Sequence, residues 1–508
     1  MPLKGIPSIN MRAIIEVENI TSRITTPLPQ DVQFLLRDNL SYVVSGAMFS
    51  EYAKQGMWDG CKHLYSMKTQ SFPTGLLRRV LTTLNDCSYK YEIIDKRVKP
   101  ELGKEIKLKN IKLRDYQEES VDILFNKTRG LLHAATASGK GVILSSLLAK
   151  LNIKSLIIVP TTSLLHQTAS VIQKVLGVKV GKIGDSIKDI KKITVATFQS
   201  LVDSDDTKKR KLDSETGRWK TVGAKKMEVR KDLKDYFNGV ECLITDESHH
   251  IISQSIQKVY EACPNAYYRY GLSATPFSDR DEDVLIEAAT GRVLKELSAS
   301  YLISKGWLSK PTIHLVPYKQ QRGGNSTTYA GLYKEKITEN EERNKLLTKI
   351  ISMRADMGDS VLVSVRYLEH GKTLYNMLVD KYGDDVVFVN SSVSTNRLNE
   401  VLKDLSKKKL KICISTSILQ EGVDVPSLNT LVMAGSPKSK IATMQLVGRV
   451  LRKTDDKSTV DVYDIQDYNT KYFSSSAKER FNIYSSEPEF ILKEDNMFDG
   501  VQTLDKSN

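Results

Sequence analysis

From residue 113 onward, short apolar runs recur along the chain, separated by stretches whose apolar positions return with helical spacing. Gly130 to Leu132, Ser155 to Val159, Val195 to Thr197, Cys242 to Thr245 and Gly271 to Ser273 form one block of runs. Val361 to Val365, Lys411 to Thr416 and Thr430 to Ala434 form a second. Runs this short predict buried strands, and their alternation with helical segments predicts an α/β fold with two doubly wound parallel-sheet lobes. Ahead of them, Met11 to Glu18 alternates like a strand. Val32, Leu35, Leu36 and Leu40, and again Leu76, Leu77, Val80, Leu81 and Leu84, follow helical spacing. The expected organisation is a small α/β domain over 1–95, a charged linker over 96–110, a first lobe over 111–310, a second over 311–470 and a polar, partly disordered tail over 471–508.

Two of the runs end in residues with chemistry. Ala134-Ala-Thr-Ala-Ser-Gly-Lys140 follows the first. Small residues after a strand let backbone N–H groups cradle phosphates, Gly139 allows close approach and Lys140 supplies positive charge. Leu243-Ile-Thr-Asp-Glu-Ser-His249 follows another. There Asp246 can hold a magnesium ion while Glu247 orients or deprotonates an attacking water. Either motif alone could be a chance glycine-lysine turn or a surface acidic cluster, but in this order, each after a strand, they point to hydrolysis of ATP with Mg2+. One position departs from the pattern. Gly141 stands where a serine or threonine hydroxyl ordinarily ligates magnesium, so the metal depends on Asp246, the phosphates and an additional water. The second block carries no phosphate loop. Two lobes sharing one loop predict ATP in the cleft between them, with arginines reaching in from the second lobe.

Composition narrows the class. With 508 residues the chain can hold roughly three domains, each with its own core. No apolar run approaches the length of a membrane span and the amino terminus lacks a signal-peptide pattern, so no membrane partner and a cytoplasmic location are expected. Cys61, Cys87, Cys242, Cys263 and Cys413 are odd in number and lack metal-type spacing, which argues against a disulfide framework or a zinc site. A net charge of +14 in an ATPase favours a polyanionic partner such as nucleic acid.

The ordered set Tyr116-Gln117, Gly139-Lys140, Pro160-Thr161-Thr162, Asp246 to His249, Ser273-Ala274-Thr275, Glu421-Gly422-Val423-Asp424 and Gln445 to Arg452 resembles the superfamily 2 helicases and translocases, with their two RecA-like lobes. Gly56-Met-Trp-Asp-Gly60 and Phe72-Pro-Thr-Gly-Leu76 further resemble the leading domain of UvsW-like phage helicases, which remodel branched DNA. The resemblance implies that Gln117 reads the adenine edge with Arg114 or Tyr116 packed beside it, and that Thr136, Ser138, Gly139, Lys140 and Gly141 surround the phosphates. It implies that His249 and Gln445 bridge the lobes near the γ-phosphate, that Gly422 and Asp424 join the nucleotide set, and that Ser273, Ala274 and Thr275 couple hydrolysis to lobe movement. Arg449 and Arg452, one helical turn apart, become arginine fingers, their alternative being plain surface arginines. Nucleic acid is expected across the top of both lobes, its phosphates touching Thr161, Thr162, Thr197, Gln199, Ser200, Arg366 and Thr416. Such contacts position a strand without reading its sequence, although any one hydroxyl could instead cap a helix.

Residues 203–235 interrupt the first lobe with a run dense in both charges. Two readings stay open, a solvated loop or a projecting hairpin turning at Glu215-Thr-Gly217 whose Trp219 stacks on a base at a fork. Lys407-Lys-Lys409 reads as a solvated helix end, and Glu105-Ile-Lys107 as a chance half of a nuclease motif. The resemblance favours an ATP-dependent DNA helicase or translocase acting as a monomer on forked and four-way DNA, in the host cytoplasm if phage-encoded. A restriction-type translocase motor and an RNA remodeller are the alternatives.

Overall fold

The computed structural model describes residues 12–205, 209–212, 219–222, 226–277, 281–319, 326–416, 428–435, 437–454 and 457–495, with the backbone alone for 204–227. By its internal contacts the chain divides into two units, 1–133 with 140–296, and 297–508 with the short segment 134–139. Both main sheets are of the RecA-like kind, and a small α/β region precedes them.

The first unit is built on an eight-stranded sheet in the order Ile187–Asp189, Gly181–Gly184, Ile193–Thr197, Ser155–Val159, Cys242–Asp246, Tyr268–Ser273, Arg129–Ala134 and Val293–Leu297. Its central strands pair in parallel, Ile157 facing Val195 on one side and Ile244 on the other. They are mostly apolar because helices cover both faces, and every position of Ser155–Val159 and Ile193–Thr197 is buried, Ser155 and Thr194 included. The shift of strand order on either side of Ser155–Val159 and Cys242–Asp246 brings the carboxyl ends of these strands together, the edge at which open α/β sheets bind ligands.

Before this sheet lies a four-stranded one, ordered Ser71–Pro73, Thr21–Ile24, Arg12–Val17 and Lys90–Asp95. Ala13, Ile15 and Val17 point inward on alternate positions against Val32, Leu36, Val80 and Leu84 of the two predicted helices, Gln30–Asn39 and Leu77–Asp86. Leu35, one step off that face, is 43% exposed. The same core runs on into Val284 and Leu285 of helix Val284–Thr290, and Arg79 pairs with Glu287 at 2.7 Å. A Cβ on Gly75 would stand 2.1 Å from the Glu287 carbonyl oxygen, so only glycine permits this approach. Residues 96–110, expected as a linker, carry no helix or strand but are pinned to the first lobe. The Ile106 N–H donates to Ala149 O (3.1 Å) and the Lys109 N–H to Val175 O (2.8 Å).

The charged insertion is a hairpin in its backbone. Val202–Asp205 pairs antiparallel with Lys226–Val229, and further out Lys209–Leu212 pairs antiparallel with Trp219–Val222, placing Trp219 opposite Leu212. The expected turn at Glu215-Thr-Gly217 lies outside the described residues.

The second unit holds a seven-stranded sheet, ordered Val386–Val389, Ile412–Ser415, Val361–Ser364, Thr430–Met433, Thr459–Asp467, Lys310–Tyr318 and Ile491–Glu494. Every neighbouring pair runs parallel. Val361, Val363, Ile412, Ile414 and Val432 meet Leu347, Ile350 and Ile351 of helix Glu341–Asp356 and Leu374 and Leu378 of helix Leu368–Tyr382. The expectation of a polar tail from 471 onward is corrected here. Lys471–Ser485 is a helix that buries Phe473, Ala477, Ile483 and Tyr484, and Ile491–Glu494 adds the outer strand. The physical reason is Arg480, fully buried, whose Nε lies 2.8 Å from Asp464 Oδ2 while its Nη atoms donate to Pro437 O and Ile465 O. A composition that reads as polar thus hides a neutralised, hydrogen-bonded charge inside the lobe.

Candidate active site

Strand Arg129–Ala134 runs into the phosphate loop, and helix Lys140–Leu151 begins where the loop ends. Ala137 (φ +65°) and Gly139 (φ +85°) are both left-handed. That alternation lets successive backbone N–H groups converge on an anion at a helix N-terminus. Ser138 is buried, Thr136 half-buried, and the Lys140 Nζ stands 3.9 Å from Glu247 Oε1. Gly141 packs toward helix Thr162–Leu176, where an added Cβ would meet Val171 Cγ1 at 3.2 Å. The missing hydroxyl therefore coincides with a position of limited room.

Asp246 closes strand Cys242–Asp246, and the chain turns sharply through Glu247, whose left-handed backbone (φ 53°, ψ 58°) is costly for a residue with a Cβ by about 1–3 kcal/mol. The Glu247 N–H donates to Asp246 Oδ1 at 3.0 Å. Glu247 Oε2 accepts from the Ser273 hydroxyl at 3.3 Å and lies 3.6 Å from His249 Nδ1. Burial raises the Asp246 carboxyl above the usual carboxylate range, and the Glu247 charge adds to this against the opposing pull of Lys140. The Thr275 N–H donates to Ser273 Oγ at 3.2 Å and Ala274 O lies 3.0 Å from His133 Nε2. The expected coupling residues Ser273, Ala274 and Thr275 thus touch Glu247 on one side and the phosphate-loop strand on the other.

Arg114 precedes helix Asp115–Asn126. Gln117 Oε1 accepts from the Arg114 backbone N–H at 3.1 Å, and Arg114 Nη1 donates to Tyr116 Oη at 3.0 Å. The three residues expected at the adenine are therefore one hydrogen-bonded group that fixes the carboxamide's direction.

Thr161, Gln199, Thr197 and Ser200 gather at the carboxyl ends of two adjacent strands. Gln199 Nε2 donates to Pro160 O (3.1 Å), Thr197 and Ser200 share a hydroxyl hydrogen bond (2.8 Å), and Thr161 caps its helix by accepting from the Leu164 N–H (3.3 Å). Thr162, the first residue of that helix, is exposed. In the second unit Thr416 follows Ile412–Ser415 and Arg366 lies just past Val361–Ser364, again at carboxyl ends. Arg366 is exposed, and its guanidinium sits 5.5–5.6 Å from the ring centres of Tyr329, Tyr333 and Tyr367. The local sequence marks only part of this cluster, since Tyr367 adjoins Arg366 while Tyr329 and Tyr333 come from a helix well before it in the chain. Trp219 is placed through its backbone only.

Gln445 is buried and Arg449 half-buried on helix Lys440–Val450. The expectation that Arg452 follows one helical turn later is corrected. The helix ends at Val450, the Ser309 N–H takes up the Leu451 carbonyl at 2.7 Å, and Arg452 forms a β-bridge with Leu308, where it is exposed. Gly422 and Asp424 lie outside the described residues.

Residues 110–278 match the family described as type III restriction enzyme, res subunit, and residues 342–454 match the helicase conserved C-terminal domain. The chain is 26% identical over 475 residues to the ATP-dependent DNA helicase uvsW of Enterobacteria phage T4, covering 88% of this chain and 89% of the relative. The chain belongs to the superfamily 2 helicases. It is an ATP-hydrolysing helicase. The helicase is also 25% identical over 384 residues to the DNA 3'-5' translocase XPB2 of Sulfurisphaera tokodaii, across 68% of this chain and 80% of that one. Its fold matches Saccharomyces cerevisiae Dbp5 bound to RNA and ADP BeF3 with a TM-score of 0.51 at 15% identity, over 75% of this chain and 90% of the other. No helix among the described residues is long and apolar enough to cross a membrane, and all five cysteines are free thiols.

Proposed function

We propose that this helicase moves on DNA and unwinds or branch-migrates forks and four-way junctions during replication, recombination or repair, working as a monomer in the cytoplasm. The observation that supports this most directly is the pair of antiparallel ladders, Val202–Asp205 with Lys226–Val229 and Lys209–Leu212 with Trp219–Val222. It leaves the first lobe just after Thr197, Gln199 and Ser200, beside the edge where a strand would be held, and carries Trp219 on its outer ladder. A two-stranded arm beside a strand-binding edge suits the parting of paired strands. Similarity to a helicase of phage T4 named for action on DNA supports the choice of polymer.

In this reading Thr136, Ser138, Gly139 and Lys140 bind the phosphates, and Arg114, Tyr116 and Gln117 hold the adenine. Asp246 would hold Mg2+, with Gly141 contributing no ligand. When bound, that ion neutralises charge developing on the phosphate oxygens. Glu247 accepts the proton of the attacking water, and the Ser273 hydroxyl at 3.3 Å keeps its carboxylate oriented. Because Ser273 also binds the Thr275 N–H, a change at Glu247 reaches the segment that follows strand Tyr268–Ser273. His249, Gln445, Gly422 and Asp424 complete the nucleotide set, and Arg449 and Arg452 act as arginine fingers. Thr161, Thr162, Thr197, Gln199, Ser200, Arg366 and Thr416 hold one strand.

The deciding experiment compares ATPase stimulation and strand movement on four-way junctions, forks, linear duplex, single strands and RNA. Strongest stimulation and product formation on branched DNA is expected. Equal stimulation by linear duplex without strand separation would indicate a restriction-type motor, and preference for RNA would indicate a remodeller.

A further inference from the structure

The second lobe carries an exposed aromatic cluster that hydrolysis does not use. Tyr329, on the short helix Tyr329–Tyr333, is 37% exposed; Tyr367, beside Arg366, is 39% exposed; and Tyr472, in the first turn of helix Lys471–Ser485, is 57% exposed. Their rings are joined into one patch. Tyr329 meets Tyr472 edge-on at 6.0 Å between ring centres, and Tyr367 meets the buried Tyr333 edge-on at 4.9 Å. Tyr333 anchors the patch to the sheet by donating from its hydroxyl to Gly435 O at 2.8 Å, just beyond strand Thr430–Met433. Arg366 lies among the rings, donates from Nη1 to Tyr329 Oη at 3.1 Å, and has no carboxylate partner among the described residues.

Three physical features bear on what covers this patch. An arginine that would ordinarily seek a carboxylate is held instead by aromatic faces, which leaves its charge for an anion from outside. Large aromatic surfaces left in water beside a cation match the composition of platforms on which bases stack while the cation meets the backbone. The patch also stands at the carboxyl edge of the parallel sheet, alongside Thr416, the edge where such sheets bind ligands.

We propose that Tyr329, Tyr367 and Tyr472, centred on Arg366, form a stacking platform for an unpaired base of single-stranded DNA. This rests on the reading of the chain as a DNA motor and adds to it a contact with a base where only phosphate contacts were expected. Stacking accepts every base, so the platform grips a strand without selecting its sequence. It also distinguishes an unpaired base from one enclosed in a duplex.

The test is equilibrium binding of an oligothymidylate and of an abasic strand of equal length, which keeps the phosphates but offers nothing to stack. The wild-type protein should bind the oligothymidylate more tightly than the abasic strand. Tyr472→Ala and Tyr367→Ala should each lose roughly 5- to 150-fold in affinity for the oligothymidylate and little for the abasic strand, while Tyr472→Phe retains wild-type binding. Arg366→Gln should weaken both strands and reduce the salt dependence by about one phosphate contact. Thermal melting checks that each variant is folded, and Tyr472→Leu, which keeps an apolar cover over the helix, replaces any variant that is not. Equal wild-type affinity for the two strands, or tyrosine variants that lose both equally, overturns the platform and leaves the motor reading intact. Failure of the wild type to bind either strand overturns the motor reading and the platform together.

Discussion

Replacing Glu247 by glutamine keeps the size and shape of the side chain and removes its charge. Two consequences follow, and they have opposite signs. Loss of the proton acceptor should lower DNA-stimulated kcat by about 10²–10⁴-fold, an increase of roughly 3–5.5 kcal/mol in the barrier. Meanwhile Lys140 loses a neighbour at 3.9 Å that competes with the phosphates for its charge. At an effective dielectric near 20 the pair is worth about 4 kcal/mol, and a quarter to a half of that remains once hydration and mobility are counted. ATP should therefore bind about 5- to 30-fold more tightly to Glu247→Gln than to the wild type. Lys140→Ala should do the reverse and weaken binding. A fluorescent ATP analogue measures affinity, and phosphate release with saturating DNA measures turnover. Normal turnover in folded Glu247→Gln would refute the assignment, and weaker ATP binding would show that Glu247 is not a competitor for Lys140.

Gly141→Ser should lower the magnesium concentration for half-maximal ATPase, but its Cβ must displace Val171 by a few tenths of an ångström, so a stability loss of about 1–3 kcal/mol is expected and Gly141→Ser with Val171→Ala should recover it. An unchanged magnesium titration in both would mean that another group already fills that coordination position. Trp219→Ala, opposite Leu212 on the outer ladder of the hairpin, should impair branch migration more than ATPase stimulated by single strands; equal loss of both at one salt concentration would rule out a wedge. Arg480→Met, which strands the buried Asp464 carboxylate, should cost about 3–5 kcal/mol in a denaturant melt of the second lobe, whereas a surface-like loss under 1 kcal/mol would contradict its burial. His370 is buried and donates from Nε2 to Asn344 Oδ1 at 3.0 Å, and burial lowers its pKa to about 3. Its folded pKa lies below the unfolded value of about 6.5, so stability is full above that pH and falls as pH drops, by about 1.4 kcal/mol per unit; His370→Gln should flatten this part of a pH-stability profile.

What the sequence disclosed was the chemistry that lies within a few consecutive residues. The phosphate loop and Asp246-Glu247 each follow one strand directly, so spacing alone located them, and the two blocks of apolar runs marked the two sheets. What it hid depends on partners distant in the chain. Val171 crowds Gly141 from a different helix, and Arg366 meets Tyr329 and Tyr333 of a helix well before it in the chain. Helical periodicity carried the last helix through Arg452, because no local signal records that Leu308 draws that residue into a bridge. Polar composition concealed helix Lys471–Ser485, whose burial depends on Asp464 accepting Arg480. The left-handed turn at Glu247 was equally invisible, since glutamate gives no compositional warning of it.

The order of strands in the second sheet bears on how the protein is made. Lys310–Tyr318 is the first of that sheet to leave the ribosome, yet it lies between Thr459–Asp467 and Ile491–Glu494, the last two. It must wait, with both edges unpaired, for nearly the whole lobe to be synthesised, while the first sheet has all its strands by residue 297. Strands with open edges are where nascent chains associate wrongly, and pairings this remote in sequence form slowly. The second sheet is therefore expected to close later than the first, and shortening the chain before Ile491 would leave that edge open permanently.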